Sequence, residues 1–317
     1  MLELTALQLD SRQPSNLSVC RFESGTLNVV LGRNRSGKTA LCRLLAGLTS
    51  SAVGRVLLDD RDLSELSPAA RPVALVNQAF VNYPHWTVRQ NLASPLRAQR
   101  RPRAEIESTV AAVAEKLQLQ ALLDRLPEQL SGGQQQRLAI GRALAKGARV
   151  VVMDEPLVNL DYKLREALEL ELAELLTEEG VTLIYTSTDP KDALLLADQV
   201  LLLEDHQVLQ IGSAETVYLN PVSEAAAHLL SDPGVNRVND VGLLVRPEHL
   251  YLQAPDVEFE SYSLDVEAVE TNGSQTYLHG RYEQREWIAK LSGMHRFESG
   301  TSVRLHARRQ DLLQLQP

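Results

Sequence analysis

One short segment restricts the possible folds of this chain more than any other feature. The segment is Gly32-Arg33-Asn34-Arg35-Ser36-Gly37-Lys38-Thr39, and it matches the phosphate-binding loop pattern G-x-x-x-x-G-K-[ST]. The apolar run 27–31 before it predicts a buried strand, and the helical apolar spacing of residues 40–46 after it predicts a helix. A strand, a glycine loop and a helix start direct backbone N–H groups and a positive helix end at one point, which suits a polyphosphate. In this geometry Lys38 reaches the β- and γ-phosphates and Thr39 holds Mg²⁺. The alternative is a chance match to the pattern in a surface turn, which the predicted strand before the loop and the predicted helix after it disfavour.

A second segment with open backbone N–H groups lies in the helical part of the chain. Residues 130–137 read LSGGQQQR, and an amphipathic stretch follows them. Ser131 is a suitable N-cap, and Gly132 and Gly133 leave the first N–H groups of the helix exposed. We therefore expect a second anion-binding helix end here.

A third motif places two carboxylates after an apolar strand. The predicted strand at 150–153 is followed by Asp154 and Glu155. A carboxylate at the carboxyl end of such a strand lies in the crevice where α/β proteins bind ligands. Beside a phosphate loop, Asp154 can hold Mg²⁺ through water.

Predicted strands and helices alternate through most of the chain, which is typical of an α/β fold. From about Val235, short alternating strands and turns, such as the turn at 271–274, predict an all-β module. The length of 317 residues also suggests two domains. We predict an α/β domain at 1–230 with a helical subdomain at about 87–147, and a β-barrel domain at 235–317.

Charge and cysteine content disfavour some classes of function. A net charge of −9 and a pI near 5.4 disfavour a primary nucleic-acid binder, which usually needs a basic surface. Cys20 and Cys42 have no metal-like spacing and are expected to be small buried residues. Neither a signal-peptide pattern nor a membrane-spanning stretch is apparent, so we expect any membrane role to require a partner.

Three of the fourteen aromatic residues, Phe80, Tyr83 and Trp86, lie close together. Two interpretations stay open for this cluster. It is either a local hydrophobic core or a surface that docks a partner, since aromatic residues are enriched at interface hot spots.

Together these motifs make residues 1–230 resemble the nucleotide-binding subunit of ATP-binding cassette (ABC) transporters. The motifs occur in the order of that family: the phosphate loop at 32–39, Gln78, LSGGQQQR at 130–137, VVMDEP at 151–156 and NLD at 159–161. The tail resembles the small OB-like (TOBE) barrel of carbohydrate importer ATPases, with VRPEHL at 245–250 similar to its opening motif. Residues 81–88 resemble the sugar and glycerol importer branch. The resemblance implies a P-loop NTPase domain of the ABC type followed by an all-β OB-like barrel.

The resemblance also implies a role for each motif. Two such subunits close head to tail, so ATP and Mg²⁺ lie between the phosphate loop of one and the LSGGQ signature of the other. Glu155 would be the general base or polarise the attacking water, Asp154 and Thr39 would hold the metal, and Gln78 would sense the metal and the γ-phosphate. The nucleotide would be contacted by Gly32, Arg33, Asn34, Arg35, Ser36, Gly37, Lys38, Thr39 and Ala40 of one subunit and by Ser131, Gly132, Gly133 and Gln134 of its partner.

Several features of the sequence depart from the family pattern, including Val158, which stands where serine is common. Thr188 stands where the family usually has a histidine that contacts the γ-phosphate, and it remains a candidate catalytic residue here. Arg35 stands where glycine is usual, and a side chain at that position restricts positive φ. Two interpretations stay open for Arg35: the loop is slightly strained, or Arg35 adds positive charge near the phosphates. No aromatic residue precedes Phe22, so the usual adenine-stacking residue is absent.

These observations predict a cytoplasmic ATPase subunit, peripheral on the inner face of the cell membrane, that energises import of a sugar, glycerol or related polyol. The expected partners are transmembrane permease subunits and, indirectly, a periplasmic or extracellular solute-binding protein, with no nucleic acid. Thr188 favours a heterodimer with a second ATPase subunit, because a homodimer would lack the histidine at both sites; a homodimer in which Glu155 suffices is the alternative. A soluble ABC ATPase of nucleic-acid repair or translation, or a subunit that binds ATP and hardly hydrolyses it, are the other interpretations.

Overall fold

A computed structural model describes residues 1–6, 8–9, 19–50, 53–77, 81–156 and 180–315. The chain divides into two compact units, 1–211 and 212–317. This division lies earlier than the predicted boundary near 230–235. The reason is Arg246, whose guanidinium donates hydrogen bonds to the carbonyl oxygens of Tyr218 at 2.6 Å and Ala227 at 3.4 Å and so ties the preceding helices to the second unit.

The described residues of the first unit form ten strands and five α-helices. Its strands are β1 (Leu2–Thr5), β2 (Val19–Phe22), β3 (Leu27–Leu31), β4 (Arg55–Leu58), β5 (Arg61–Asp62), β6 (Val73–Val76), β7 (Val150–Asp154), β8 (Thr182–Ser187), β9 (Gln199–Glu204) and β10 (Gln207–Gly212). Its helices are α1 (Lys38–Leu45), α2 (Val88–Ala98), α3 (Arg103–Lys116), α4 (Gly132–Ala145) and α5 (Pro190–Leu196). The sequence pattern also predicts a helix from Tyr162 to about Glu179, and these residues lie outside the described part of the chain.

A six-stranded sheet of order β10-β9-β3-β8-β7-β6 forms the centre of this unit. The pairs β3–β8, β3–β9, β6–β7 and β7–β8 are parallel. Every residue of β3 is buried, as expected for a parallel strand covered on both faces. The carboxyl ends of β3, β7 and β8 therefore meet at one edge, where the phosphate loop and the two carboxylates follow. A second, antiparallel sheet has the order β2-β1-β4-β5.

The helical subdomain is held by apolar contacts among α2, α3 and α4. Thr87 caps α2 and Ser131 caps α4, each in a capping box with the residue three positions on. Gly141 of α4 is a packing requirement, because a Cβ there would lie 2.7 Å from Leu92 and 2.8 Å from Leu117. Helices α2, α3 and α4 lie within the region at 87–147 that was predicted to be helical.

The second unit consists of two short helices and antiparallel strands. Its elements are α6 (Ala214–Leu219), α7 (Glu224–Leu229), β11 (Asn236–Arg237), β12 (Leu243–Val245), β13 (Phe259–Thr271), β14 (Gln275–Tyr282), β15 (Arg285–Ser292), β16 (Ser302–Arg308) and β17 (Leu312–Gln314). The sheets have the orders β11-β12-β17 and β15-β14-β13-β16. They enclose a core around the buried Trp287, which agrees with the predicted all-β module.

Candidate nucleotide-binding site

The phosphate loop connects β3 to α1 through backbone conformations that few side chains allow. Gly37, directly before α1, has a φ of 109°, which is easy for glycine alone. Gly32 has no room for a side chain, since a Cβ would lie 2.3 Å from the Leu203 carbonyl oxygen. Arg35 has a φ of 68°, so the expected strain at this departure from the family pattern is present. A non-glycine residue in this region costs on the order of 1–3 kcal/mol.

Lys38 lies inside the loop, with only 3% of its side chain exposed. Its ammonium donates hydrogen bonds to the carbonyl oxygens of Gly32 at 2.7 Å and Arg33 at 2.9 Å. The same nitrogen lies 3.2 Å from Oε1 of Glu155. The structure therefore brings together the predicted phosphate-binding cation and the predicted base, and the carboxylate balances the buried charge of the lysine.

Asp154 ends β7 beside the start of α1. Its Oδ1 accepts hydrogen bonds from the hydroxyls of Thr39 at 3.1 Å and Thr186 at 3.2 Å. Cys42 also points toward this oxygen, with Sγ at 3.9 Å. Burial, followed by the charge of Asp154, raises the pKa of Cys42 well above its ordinary value, so this thiol stays protonated. Cys20 is also buried, so both cysteines are buried as the sequence predicted, and neither forms a disulfide.

Thr186 is a site residue that motif matching missed. It is fully buried in β8, where it lies opposite Asp154 in the parallel register. Its Oγ1 accepts a hydrogen bond from the backbone N–H of Glu155 at 2.9 Å. The sequence feature that could have identified Thr186 is that two apolar strands, β7 and β8, both end in polar residues. The sequence alone does not show that these two strands are adjacent in the sheet.

The remaining catalytic candidates are placed less closely. Thr188 is exposed, one residue beyond β8, at the sheet edge that also carries Asp154. Next to it, the Ser187 hydroxyl hydrogen-bonds the Asp192 carboxylate and accepts from the Asp189 N–H at 2.9 Å, which fixes the start of α5. Gln78 lies outside the described residues.

The signature segment begins α4 and faces solvent. Ser131 and Gly132 are exposed, Gly133 is buried, and Gln134 is half-buried. The Ser131 hydroxyl accepts from the Gln134 N–H at 3.4 Å, while the Gln134 side chain accepts from the Ser131 N–H at 3.0 Å. Among the described residues, the polar partners of Lys38, Asp154 and Glu155 include none of these four.

A groove of about 360 Å³ lies on the same unit between the helical subdomain and β6. Val81, Tyr83, Arg142 and Lys146 are among its lining residues. Arg142 donates to the Val81 carbonyl oxygen and lies 4.4 Å above the Tyr83 ring, and Lys146 donates to the Val73 carbonyl at 2.7 Å. Burial lowers the pKa of both cations, and neither forms an ion pair among the described residues.

Two members of the aromatic cluster, Tyr83 and Trp86, are exposed. The rings of Tyr83 and Trp86 are 4.4 Å apart, and these residues are 43% and 40% exposed. Phe80 lies outside the described residues. Exposed aromatic side chains in mutual contact favour the interpretation as a docking surface over a local core.

Two protein-family models match the chain. The family described as ABC transporter matches residues 15–158, and the TOBE domain matches residues 243–315. The sn-glycerol-3-phosphate import ATP-binding protein UgpC of Cereibacter sphaeroides is 36% identical over 280 residues, which cover 81% of this chain and 80% of that protein. The protein of the same name from Bordetella avium is 33% identical over 312 residues, covering 89% of this chain and 85% of that protein.

Solved structures resemble about two thirds of the chain. The cbiO1 structure from Clostridium perfringens has a TM-score of 0.61 at 23% identity and covers 68% of this chain and 90% of its own. A dimeric ATP-binding cassette bound to ADP and Pi has a TM-score of 0.56 at 24% identity and covers 68% of this chain and 99% of its own. At these identities the likeness concerns the fold, and it agrees with the predicted α/β class. Within the described residues, no helix is both long enough and apolar enough to cross a membrane.

Proposed function

The chain belongs to the ABC transporter family, and from this premise we propose that it energises import of sn-glycerol 3-phosphate or a related polyol by hydrolysing ATP. Its relatives are import ATP-binding proteins of this kind. One observation supports the catalytic role most directly. Lys38 lies 3.2 Å from Glu155, and Thr39 lies 3.1 Å from Asp154, at a single sheet edge.

ATP binding uses the phosphate loop. The loop's backbone N–H groups, the start of α1 and the ammonium of Lys38 bind the phosphates. Because Glu155 balances Lys38 in the structure, we propose that the incoming phosphates take over this role and release the carboxylate of Glu155.

The oxygen atoms of Thr39 and Asp154 fit Mg²⁺, which prefers hard oxygen ligands and keeps several of its waters. The described residues contain no group of three or more His, Cys, Asp and Glu side chains suited to a metal, which fits an ion held largely by phosphate oxygens and water. When bound, the ion neutralises charge on the β- and γ-phosphates. Thr39 and Asp154 would hold it.

Glu155 acts on the attacking water. The water oxygen forms a bond to the γ-phosphorus, the bond from that phosphorus to the β,γ-bridging oxygen breaks, and ADP and inorganic phosphate leave. Glu155 accepts the proton that the water loses, or orients the water by hydrogen bonding.

The signature segment serves a second ATPase chain. Ser131, Gly132, Gly133 and Gln134 are proposed to contact the γ-phosphate held by that chain, since their helix end lies open to solvent. We propose a heterodimer, because Thr188 offers an uncharged hydroxyl at the family's histidine position and would slow the site built on Lys38. Two distinct ATPase chains in the purified transporter support the heterodimer, whereas a homodimer with a normal transport rate contradicts it.

The groove beside Tyr83 and Trp86 is proposed to receive a cytoplasmic segment of the permease. Its apolar lining and exposed aromatic rings provide contact area. Docking there would hold the subunit at the cytoplasmic face of the cell membrane as a peripheral component, with a solute-binding protein acting outside.

Reconstitution tests this function. The chain is co-purified with its permease subunits, placed in liposomes with the solute-binding protein, and assayed for ATP hydrolysis with sn-glycerol 3-phosphate, glycerol or maltose. We expect stimulation by one of these solutes, with uptake inside the vesicles. Equal hydrolysis with and without permease, or stimulation by nucleic acid alone, would favour a soluble ABC ATPase instead. ATP binding without hydrolysis in the complete complex would favour a structural subunit.

A further inference from the structure

We propose that Thr186 is a positioning residue that sets both carboxylates of the site through one hydroxyl group. This inference rests on the proposed ATPase function and adds a residue that no motif identifies. The hydroxyl donates to Oδ1 of Asp154 at 3.2 Å and accepts from the backbone N–H of Glu155 at 2.9 Å. A threonine hydroxyl has one proton to donate and two lone pairs, so both hydrogen bonds form at once.

The hydrogen bond to Glu155 stabilises an unfavourable backbone conformation. Glu155 follows directly after β7 with a φ of 45°, in the region that non-glycine residues avoid. Such a conformation persists only when surrounding contacts determine it, and the Thr186 hydroxyl is one such contact. The turn directs the Glu155 side chain back toward Lys38, at 3.2 Å. Loss of the hydroxyl would therefore let the base change its direction.

The hydrogen bond from Thr186 to Asp154 has a different role from the hydrogen bond that Thr39 donates to the same carboxylate. Both hydroxyls contact the same Oδ1, yet the hydroxyl of Thr39 is also the proposed ligand of the metal. Thr186 is fully buried, and its hydroxyl is not proposed to bind the metal or the nucleotide. It can therefore hold Asp154 in place whichever partner Thr39 has.

A second buried threonine on the same strand provides a matched control. Thr182 is 1% exposed, and its hydroxyl donates to the Glu23 carbonyl oxygen at 3.3 Å, at the end of β8 opposite to the site. Thr182→Val and Thr186→Val remove the same group from the same strand with little change in volume. Only the second change touches a carboxylate of the site.

The test compares Thr186→Val, Thr186→Ser and Thr182→Val in the assembled transporter. We measure kcat and KM for ATP, the Kd for ATP without hydrolysis, and the Mg²⁺ concentration that half-saturates nucleotide binding. Partners that orient metal and catalytic groups typically contribute about 10- to 100-fold in activity or metal affinity. We therefore expect Thr186→Val to lower kcat or Mg²⁺ affinity by that amount with an ATP Kd in magnesium-free buffer close to wild type. Thr186→Ser should restore both, and Thr182→Val should change only the melting temperature.

Several outcomes would overturn the inference. A wild-type kcat and Mg²⁺ dependence in Thr186→Val, a serine variant that does not rescue, or an equal loss in Thr182→Val would each do so. If Thr186→Val does not fold, Thr186→Ala repeats the comparison without new methyl contacts. Wild-type complex that hydrolyses no ATP would instead contradict the proposed function, so the two failures are distinguishable.

Discussion

The phosphate-loop edge of the sheet and the amino end of α4 both carry nucleotide-binding motifs, but they differ in how far one chain completes them. At the sheet edge, Lys38 is 3% exposed and its ammonium has three oxygen neighbours supplied by the same unit. At the helix end, Ser131 and Gly132 are exposed, and the capping box of α4 uses the hydroxyl and the backbone N–H of Ser131. One chain supplies all the charge partners of Lys38 in the first region, whereas we propose that the second region forms only one side of a site.

Burial explains this difference. A buried ammonium or carboxylate without a partner is strongly unfavourable, so the sheet edge must satisfy its own charges before any ligand arrives. A helix end in water has no such requirement, because water solvates its N–H groups. The first region is therefore expected to bind nucleotide by exchange of partners, and the second by contact with another molecule.

The largest effect is expected for Glu155→Gln. Removing the base should lower ATP hydrolysis by the assembled transporter by about 10²- to 10⁴-fold. ATP binding should be unchanged or tighter, because Lys38 loses the anion that it contacts at 3.2 Å. Steady-state phosphate release measures the effect on ATP hydrolysis, and equilibrium titration measures the effect on ATP binding. If hydrolysis persists at the wild-type rate, Glu155 is not the base.

Ser131→Ala sharpens the comparison from the other side. If Ser131 donates to charge on a partner chain's γ-phosphate, its loss should lower hydrolysis by about 10²-fold, as for other donors to developing charge. The change also removes an N-cap, which costs about 1 kcal/mol of stability.

Thr87→Ala is the control for Ser131→Ala, since Thr87 caps α2 in the same type of capping box. We expect a similar loss of melting temperature in both variants but a loss of hydrolysis only in Ser131→Ala. Equal hydrolysis in the two variants would reduce Ser131 to a helix cap.

Trp86→Ala tests whether a third surface depends on a partner. With 40% of Trp86 exposed, its truncation should cost little stability but weaken association with the permease by about 2 kcal/mol if it is a hot spot. Co-purification at several detergent-solubilised protein concentrations measures this loss. Intact assembly with a lowered melting temperature would show that the ring belongs to the core.

Arg35→Gly should give the smallest effect, a gain in stability of about 1 kcal/mol, because glycine adopts the φ of 68° without strain. Arg35→Ala is the matched variant, since it removes the charge and keeps the strain. A melting temperature that rises in the glycine variant alone would confirm that the phosphate loop is strained at Arg35. Equal shifts in both variants would assign the effect to charge.

Sequence patterns predicted the elements whose signals are local. The buried β3, the helix that begins at Lys38 and the N-cap at Ser131 all follow from residues within a few positions of one another. The Lys38–Glu155 pair and the Thr186 hydroxyl depend on strand order, which brings together residues far apart in the chain. Periodicity alone does not specify strand order.

The second unit shows the same limit. Its turn at 271–274 was predicted and joins β13 to β14. The register shift between Val266 and Ala268, which marks a β-bulge, was not predicted. A bulge depends on the strands that pair with both edges of β13. The contacts of Arg246 with Tyr218 and Ala227 are also not local, so the sequence does not specify that residues 212–230 pack with the second unit.

Equilibrium binding of MgATP to the isolated chain, at concentrations where it is monomeric, tests the contrast between the two motifs most directly. Calorimetric titration compares wild type, Lys38→Ala and Ser131→Ala. Because one chain supplies the whole phosphate loop, we expect Lys38→Ala to lose measurable binding and Ser131→Ala to retain wild-type affinity, although both variants hydrolyse poorly in the assembled transporter. Unchanged affinity in Lys38→Ala, or equal loss of affinity in Ser131→Ala, would contradict the account in which the phosphate loop binds ATP within one chain and the signature segment acts only on a partner chain.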